Sequence, residues 1–370
     1  MARPHPALIE IVAGRQAAPP ADEMEFVESA GEHRLAGLAF WAAEEGFIEL
    51  GTAARRDLAG AKLAIVAHNR KVAGAAASLM SELEAAGHQA AIFKGVASES
   101  RWYPESGTRP STDADLLLRP GGGDLDALIR ELVPDHPLEG RISRLVERGH
   151  IQSIDFQWNG IWIDLHFDPF KVGVPLPGLD RLWDHLGEVE LDGGVLRALG
   201  PEVSLLQAAL HLQKDRFSRL YGFADVAFIA ASPGLDRELA RGLAGDFGLA
   251  VHFNETLAVV GDVLRLPIPY DPGLRSAVWR AIWPERSRLR GTVGMTRRVR
   301  THYWIPFTMR GRRLDAFRFW YRKVVPPGDI VDYMHPDTSG PYPLRVIQYR
   351  SRLIKERHAR NREQRRAGQI

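Results

Sequence analysis

No cysteine occurs among the 370 residues. Disulfides, thiolate zinc sites and a cysteine nucleophile are therefore excluded. No apolar run is long enough to span a bilayer, and the N-terminus lacks a basic segment followed by an apolar one. A cytoplasmic protein without a transmembrane segment is the expectation. An excess of one charge is also missing. Lys and Arg total 48 against 46 Asp and Glu, a net charge of +2, so no polyelectrolyte partner is implied for the chain as a whole. No internal repeat is visible. What is present is an ordinary globular composition in a chain long enough for a sizeable core and more than one domain.

Four segments are expected. Residues 1–22 contain Pro4, Pro6, Pro19 and Pro20 and read as a flexible N-terminal arm. Residues 23–200 hold an α/β core with helices in front of it. Residues 201–340 read as a mostly helical C-terminal domain, and 341–370 as a basic tail. Helical spacing covers Ser29 to Leu50 and about Ala53 to Ala86, where Gly87 is a natural stop. A short apolar run, Ala91 to Phe93, ends at Lys94-Gly95 and reads as a first strand. A polar connection carrying Arg101 and Arg109 follows. Asp113-Ala-Asp115 then runs into Leu116, Leu117 and Leu118 as a second strand. Asp124 to Leu132, the stretch opened by Gly200-Pro201, Ala224 to Ala231 and residues 235–265 read as further helices.

The clearest local signal is a hairpin. Alternating runs from His150 to Trp158 and from Ile161 to Asp168 flank Asn159-Gly160, a two-residue turn that favours positive φ at both positions. That turn fixes the register. Phe156 is expected opposite Ile163, and Asp155 opposite Asp164. One face is apolar and the other acidic.

The strand period of two places Asp113 and Asp115 on one face. Adjacent carboxylates repel, and a divalent cation between them relieves that repulsion. Asp164 supplies a third carboxylate if the hairpin pairs into the same sheet. This set points to a two-metal phosphoryl-transfer site. The hard oxygen donors suit Mg2+, or Mn2+, better than zinc. Lys94, Arg101 and Arg109 lie near enough in sequence to hold a triphosphate. The plainer alternatives are a surface pair of Arg109 with Glu105, a solvated Lys94, and an Asp225 that holds a helix or an arginine such as Arg219.

In their order these motifs resemble the bacterial family of uncharacterised nucleotidyltransferases, within the superfamily of DNA polymerase beta. The matching residues are Lys94-Gly95, Arg109, Asp113-Ala-Asp115, Ile163-Asp164-Leu165-His166, His211-Leu-Gln-Lys214 and Asp225, with Asn69 in the long preceding helix. The resemblance covers roughly residues 30–235 and departs in having Lys94-Gly95 where the superfamily usually has Gly-Ser. It implies a small mixed sheet with flanking helices and transfer of a nucleoside monophosphate from a triphosphate such as ATP. It implies that Asp113, Asp115 and Asp164 are catalytic and hold metal, with Asp164 also the base toward the acceptor. Lys94, Gly95, Arg109, His166, His211 and Lys214 would bind the nucleotide. The implied acceptor is a small molecule, glycan or modified peptide of a biosynthetic route. A phosphoryl or glycosyl transferase with a nucleotide donor, or a non-catalytic nucleotide binder, is the alternative on the same fold. Arg286 to Lys323 interleaves arginines with aromatics; solvated amphipathic helices are favoured there over nucleic-acid binding.

Overall fold

The structure is a computed structural model that describes residues 3–121, 124–134, 142–147, 149, 151–192, 194–215 and 217–272, with 314, 317–318, 321, 325–328, 330–331, 340–349 and 351–352 further on. Most of the Arg286 to Lys323 stretch, and the basic tail beyond Arg352, lie outside the described residues.

A six-stranded mixed sheet forms the centre. Its strands are β1 (Gln89–Phe93), β2 (Ala114–Arg119), β3 (Ser153–Trp158), β4 (Ile161–His166), β5 (Leu186–Leu191) and β6 (Gly194–Leu199), in the order β3-β4-β2-β1-β6-β5. β1 runs antiparallel to β2 and parallel to β6, and β2 runs parallel to β4. The β3–β4 hairpin has the expected register, Phe156 opposite Ile163 and Asp155 opposite Asp164. Its turn has φ of 50° at Asn159 and 76° at Gly160. Asparagine and glycine tolerate that left-handed backbone better than other residues.

Alternation along the strands separates two cores. Ala114, Leu116 and Leu118 of β2, with Ile154, Phe156, Ile163 and Leu165 of the hairpin, form one of them. They pack with Val72, Ala76, Leu79 and Leu83 of α4 (Thr52–Ala85) and with Leu125 and Ile129 of α6 (Leu125–Leu132). Phe93 and Leu117 belong to the other core. That second core holds α1 (Pro6–Val12), α2 (Glu23–Glu32) and α3 (Ala36–Glu44). It also holds α8 (Pro201–Lys214), α9 (Leu220–Ala230), α10 (Arg237–Asp246) and α11 (Ala250–Leu264). The N-terminal helices and those after residue 200 therefore share one core, across the boundary expected there. A short α7 (Ile142–Glu147) completes the first core.

Two expectations are corrected. The supposed flexible arm contains α1, with Ala7, Leu8, Ile11 and Val12 buried. Pro6 sits in the first turn, where its missing N–H costs nothing, and His5 caps the end by accepting from the Ala7 N–H. The prolines there start a helix. The polar connection after β1 holds a further helix, α5 (Gly95–Trp102). Its Glu99 is buried because it accepts from the backbone N–H groups of Gly107 and Arg109, which gives a charged residue a place inside. Among the described residues no helix is long and apolar enough to cross a membrane.

Candidate active site

Parallel pairing of β2 and β4 sets Asp115 beside Asp164, and the hairpin sets Asp155 beside Asp164. Three carboxylates thus stand in a row across three strands. Asp113 lies just before β2, and its Oδ1 accepts from the Thr112 hydroxyl at 3.0 Å. Asp113, Asp115 and Asp164 all line one cleft of about 240 Å³.

Cations offset the repulsion in this row. Lys94 Nζ donates to Asp115 Oδ1 at 2.9 Å, and Lys171 Nζ donates to Asp164 Oδ2. His166 Nε2 lies 2.9 Å from both Asp115 Oδ1 and Asp164 Oδ2. Burial acts to raise Asp115, but Lys94 and then His166 outweigh it and hold its carboxyl well below the ordinary range. For Asp164, burial is likewise outweighed, here by His166 and Lys171. The outer members of the acidic set go the other way. Asp155 is pushed up to about 6 by burial and by Asp164, and Asp113 is raised by burial and by Asp115.

Basic side chains share the cleft. α8 brings His211 and Lys214 to the same cleft as Lys94 and Lys171. Burial, then Lys94 and Lys171, lowers Lys214 to about 8. Burial, then Lys94 and Lys214, pulls His211 well below its ordinary value, so it is neutral near pH 7. Gly95 begins α5 at the cleft, with φ of 40°, and a Cβ there would lie 3.0 Å from Ser111 Oγ. Both the backbone and the close approach require glycine.

Two residues expected to touch nucleotide are placed differently. His166 is 0% exposed and lies beneath the carboxylates, its ring 4.8 Å from that of Phe93. Its Nε2 touches both Asp115 and Asp164. Arg109 lines the cleft but is 6% exposed and spends Nε and Nη2 on Asp225, at 2.7 and 2.8 Å. Tyr103 donates to the same carboxylate at 2.6 Å. Asp225 does hold an arginine, but it is Arg109, at a separation of 116 residues. Burial alone would lower Arg109; Asp225 overrides it and raises it.

Other residues at the site carried no signal that spacing or periodicity could reveal. Lys171 is one. Arg34 and Tyr221 also line the cleft, with the guanidinium 5.4 Å from the ring centroid. Asn69, already among the residues that carry the resemblance, forms with Glu99 a buried clamp on the loop that leads to Asp113. Asn69 Nδ2 donates to Glu99 and to the Arg109 carbonyl, and Asn69 Oδ1 accepts from the Ser111 N–H at 3.0 Å.

The acidic row fits a divalent cation. Asp115, Asp164 and His166 each offer one ligand atom, all within 4.8 Å of one another. Asp164 Oδ1 is buried without a hydrogen-bond partner, which is costly unless something else satisfies it. Carboxylate oxygens are the donors that magnesium and manganese prefer.

Residues 19–264 match the model of the uncharacterised nucleotidyltransferase family; the chain belongs to that family, and with it to proteins of general nucleotidyl transfer activity. Among solved structures it is similar to an antigenic nucleotidyltransferase-like protein from Paracoccidioides brasiliensis. Identity is 16%, covering 54% of this chain and 93% of that one, with a TM-score of 0.30. Comparison with curated proteins gave no match.

Proposed function

We propose that the protein moves a nucleoside monophosphate from a nucleoside triphosphate to a hydroxyl of a small molecule, glycan or modified peptide. The observation that carries this reading is the pairing of Asp115 with Asp164 on adjacent parallel strands beneath a cleft walled by Lys94, His211 and Lys214. Carboxylates and basic side chains gathered in one cleft suit a metal-bound triphosphate, whose phosphates need cationic partners while its cations need carboxylates.

Asp115 and Asp164 would hold the cation, with Asp113 beside them at the cleft wall. Magnesium or manganese, when bound, supplies charge stabilisation at the phosphate oxygens. His166 keeps the two carboxylates fixed from below. Lys94, Lys214 and the first turn of α5 at Gly95 bind the phosphate chain; a helix N-terminus favours an anion there. His211, uncharged near neutral pH, hydrogen-bonds without adding repulsion to the lysines. The acceptor oxygen forms a bond to the α-phosphorus as the bond to pyrophosphate breaks. The acceptor proton passes to the Asp164–Asp155 carboxyl pair.

Incubation with each of the four nucleoside triphosphates and magnesium, with pyrophosphate release followed and the acceptor read by mass spectrometry, tests this. A nucleotidyl adduct with stoichiometric pyrophosphate is expected. Turnover of a nucleotide sugar without pyrophosphate, or triphosphate binding that never leads to release, would replace the reading with glycosyl transfer or simple binding.

A further inference from the structure

Lys171 belongs to none of the motifs by which the cleft was read, yet its placement is tightly built. It lies in the segment after β4 with φ of 47°, a backbone that lysine rarely adopts. The buried Asp168 holds this bend by accepting from the N–H groups of Phe170 and Lys171. Gln152 fixes Asp168 in turn, donating to its Oδ2 at 2.9 Å, while Gln152 Oε1 accepts from the Gly173 N–H. On either side, Phe170 and Val172 are buried in the core. The backbone is pinned at both ends, and the Lys171 side chain lines the cleft.

Its ammonium group occupies Asp164 Oδ2, as that of Lys94 occupies Asp115 Oδ1. The two lysines differ in what surrounds them. The Lys171 side chain is 23% exposed against 14% for Lys94, and Asp164 keeps a second, unpartnered oxygen beside the occupied one. A divalent cation seated on Asp164 would stand close to the ammonium and repel it. A lysine has a flexible four-carbon stem and a compact charge that can be re-aimed. The anion that arrives with the cation is the triphosphate.

We propose that Lys171 is a built-in counter-ion: it holds Asp164 in the free protein and transfers to a phosphate oxygen of the donor nucleotide when metal and nucleotide bind together. The inference rests on the nucleotidyl-transfer reading of this cleft. Its consequence is coupling. Metal alone binds weakly because it must displace Lys171 with no new partner for it. Metal with nucleotide binds well because the displaced ammonium gains a phosphate.

Titration calorimetry of the full chain with Mn2+ alone, and with Mn2+ plus a non-hydrolysable triphosphate analogue, tests this. In Lys171→Met, Mn2+ alone should bind about tenfold more tightly than in the wild type, and the Mn2+–analogue pair about tenfold more weakly. If Lys171→Met does not fold, Lys171→Gln should show the same opposite shifts, and Lys171→Arg should keep the wild-type order. A purely structural lysine would not move the two affinities in opposite directions. Unchanged or weakened Mn2+ binding in the neutral variants overturns the counter-ion role. Failure of the wild type to bind the Mn2+–analogue pair, or binding that survives Asp164→Asn, overturns instead the reading of the cleft on which it rests.

Discussion

Replacing Asp225 with asparagine asks whether Arg109 serves the fold or the phosphates. In the native protein Asp225 takes two hydrogen bonds from Arg109, at 2.7 and 2.8 Å, and one from Tyr103 at 2.6 Å. The two charged side chains are 7% and 10% exposed. Asparagine keeps the shape but removes the charge, leaving a guanidinium buried with nothing to balance it. Breaking a buried pair on one side costs roughly 3–5 kcal/mol. At roughly 2–4 °C per kcal/mol for a chain of this size class, the melting temperature should fall by about 6–20 °C. Circular-dichroism melts and urea titrations measure it. A fall of less than about 3 °C would refute the buried-pair argument. The companion variant Tyr103→Phe, Arg109→Met, Asp225→Leu removes the whole network, and an apolar replacement of that kind should recover most of the loss. If Arg109 is structural, that variant binds a triphosphate analogue within about threefold of the wild type; a loss of about tenfold or more would return Arg109 to the phosphates.

Three further outcomes follow from the same geometry. Lys214 loses its proton near pH 8, so triphosphate affinity should fall from about pH 7 to about pH 9.5, and Lys214→Arg, charged throughout, should flatten that profile in calorimetry. Stability should move oppositely: the folded value of about 8 lies below the ordinary 10.5. The unfolded chain then binds more protons in that window, and urea midpoints should rise across it. Asp164→Asn should abolish pyrophosphate release and lower the metal-free melting temperature by less than about 10 °C, because losing the half-buried contacts with His166 and Lys171 is partly offset by relief of repulsion from Asp155 and Asp115. A drop beyond about 10 °C would make Asp164 a structural residue. Asn159→Val forces a β-branched residue to a φ of 50°, which should cost roughly 1–2 kcal/mol in urea titrations; no loss would mean that the turn relaxes.

The fold was legible where local chemistry repeated a pattern. Asn159-Gly160 between two alternating runs set both turn and register, because a one-residue slip would exchange the acidic and apolar faces. Helix α4 was legible from its spacing and from Gly87 at its end. The β5–β6 hairpin gave no expectation, although Asp192-Gly193 stands between its strands in the sequence. Glu188, Glu190 and Arg197 dilute its apolar residues, and Val195 points to solvent, so the period of two carries little hydrophobic contrast. Helix α5 was hidden because its charged Glu99 faces inward, where the backbone N–H groups of Gly107 and Arg109 and the Asn69 amide donate to it.

The site divided along a different line. Asp115 and Asp164 stand on strands, where alternation fixes which way each side chain points and parallel pairing sets them side by side, while Asp113, just before β2, lines the same cleft. What each basic residue does could not be read from sequence, because an arginine or lysine has the same chemistry whether it meets a phosphate or a carboxylate. Arg109 meets Asp225 across 116 positions, and no periodicity links them. Lys171 lies seven positions from Asp164, but only the bend that Asp168 pins lets it double back onto that carboxylate. His166 shares the motif spacing of a ligand-facing residue, yet full burial turns it into the support under the two carboxylates. In a cleft this crowded with charge, a residue's partner in the absence of ligand decides how it can act when ligand comes. A cation already matched and sealed, as Arg109 is, has little left to give. One parked on a carboxylate at the cleft wall, as Lys171 is, has a charge to transfer.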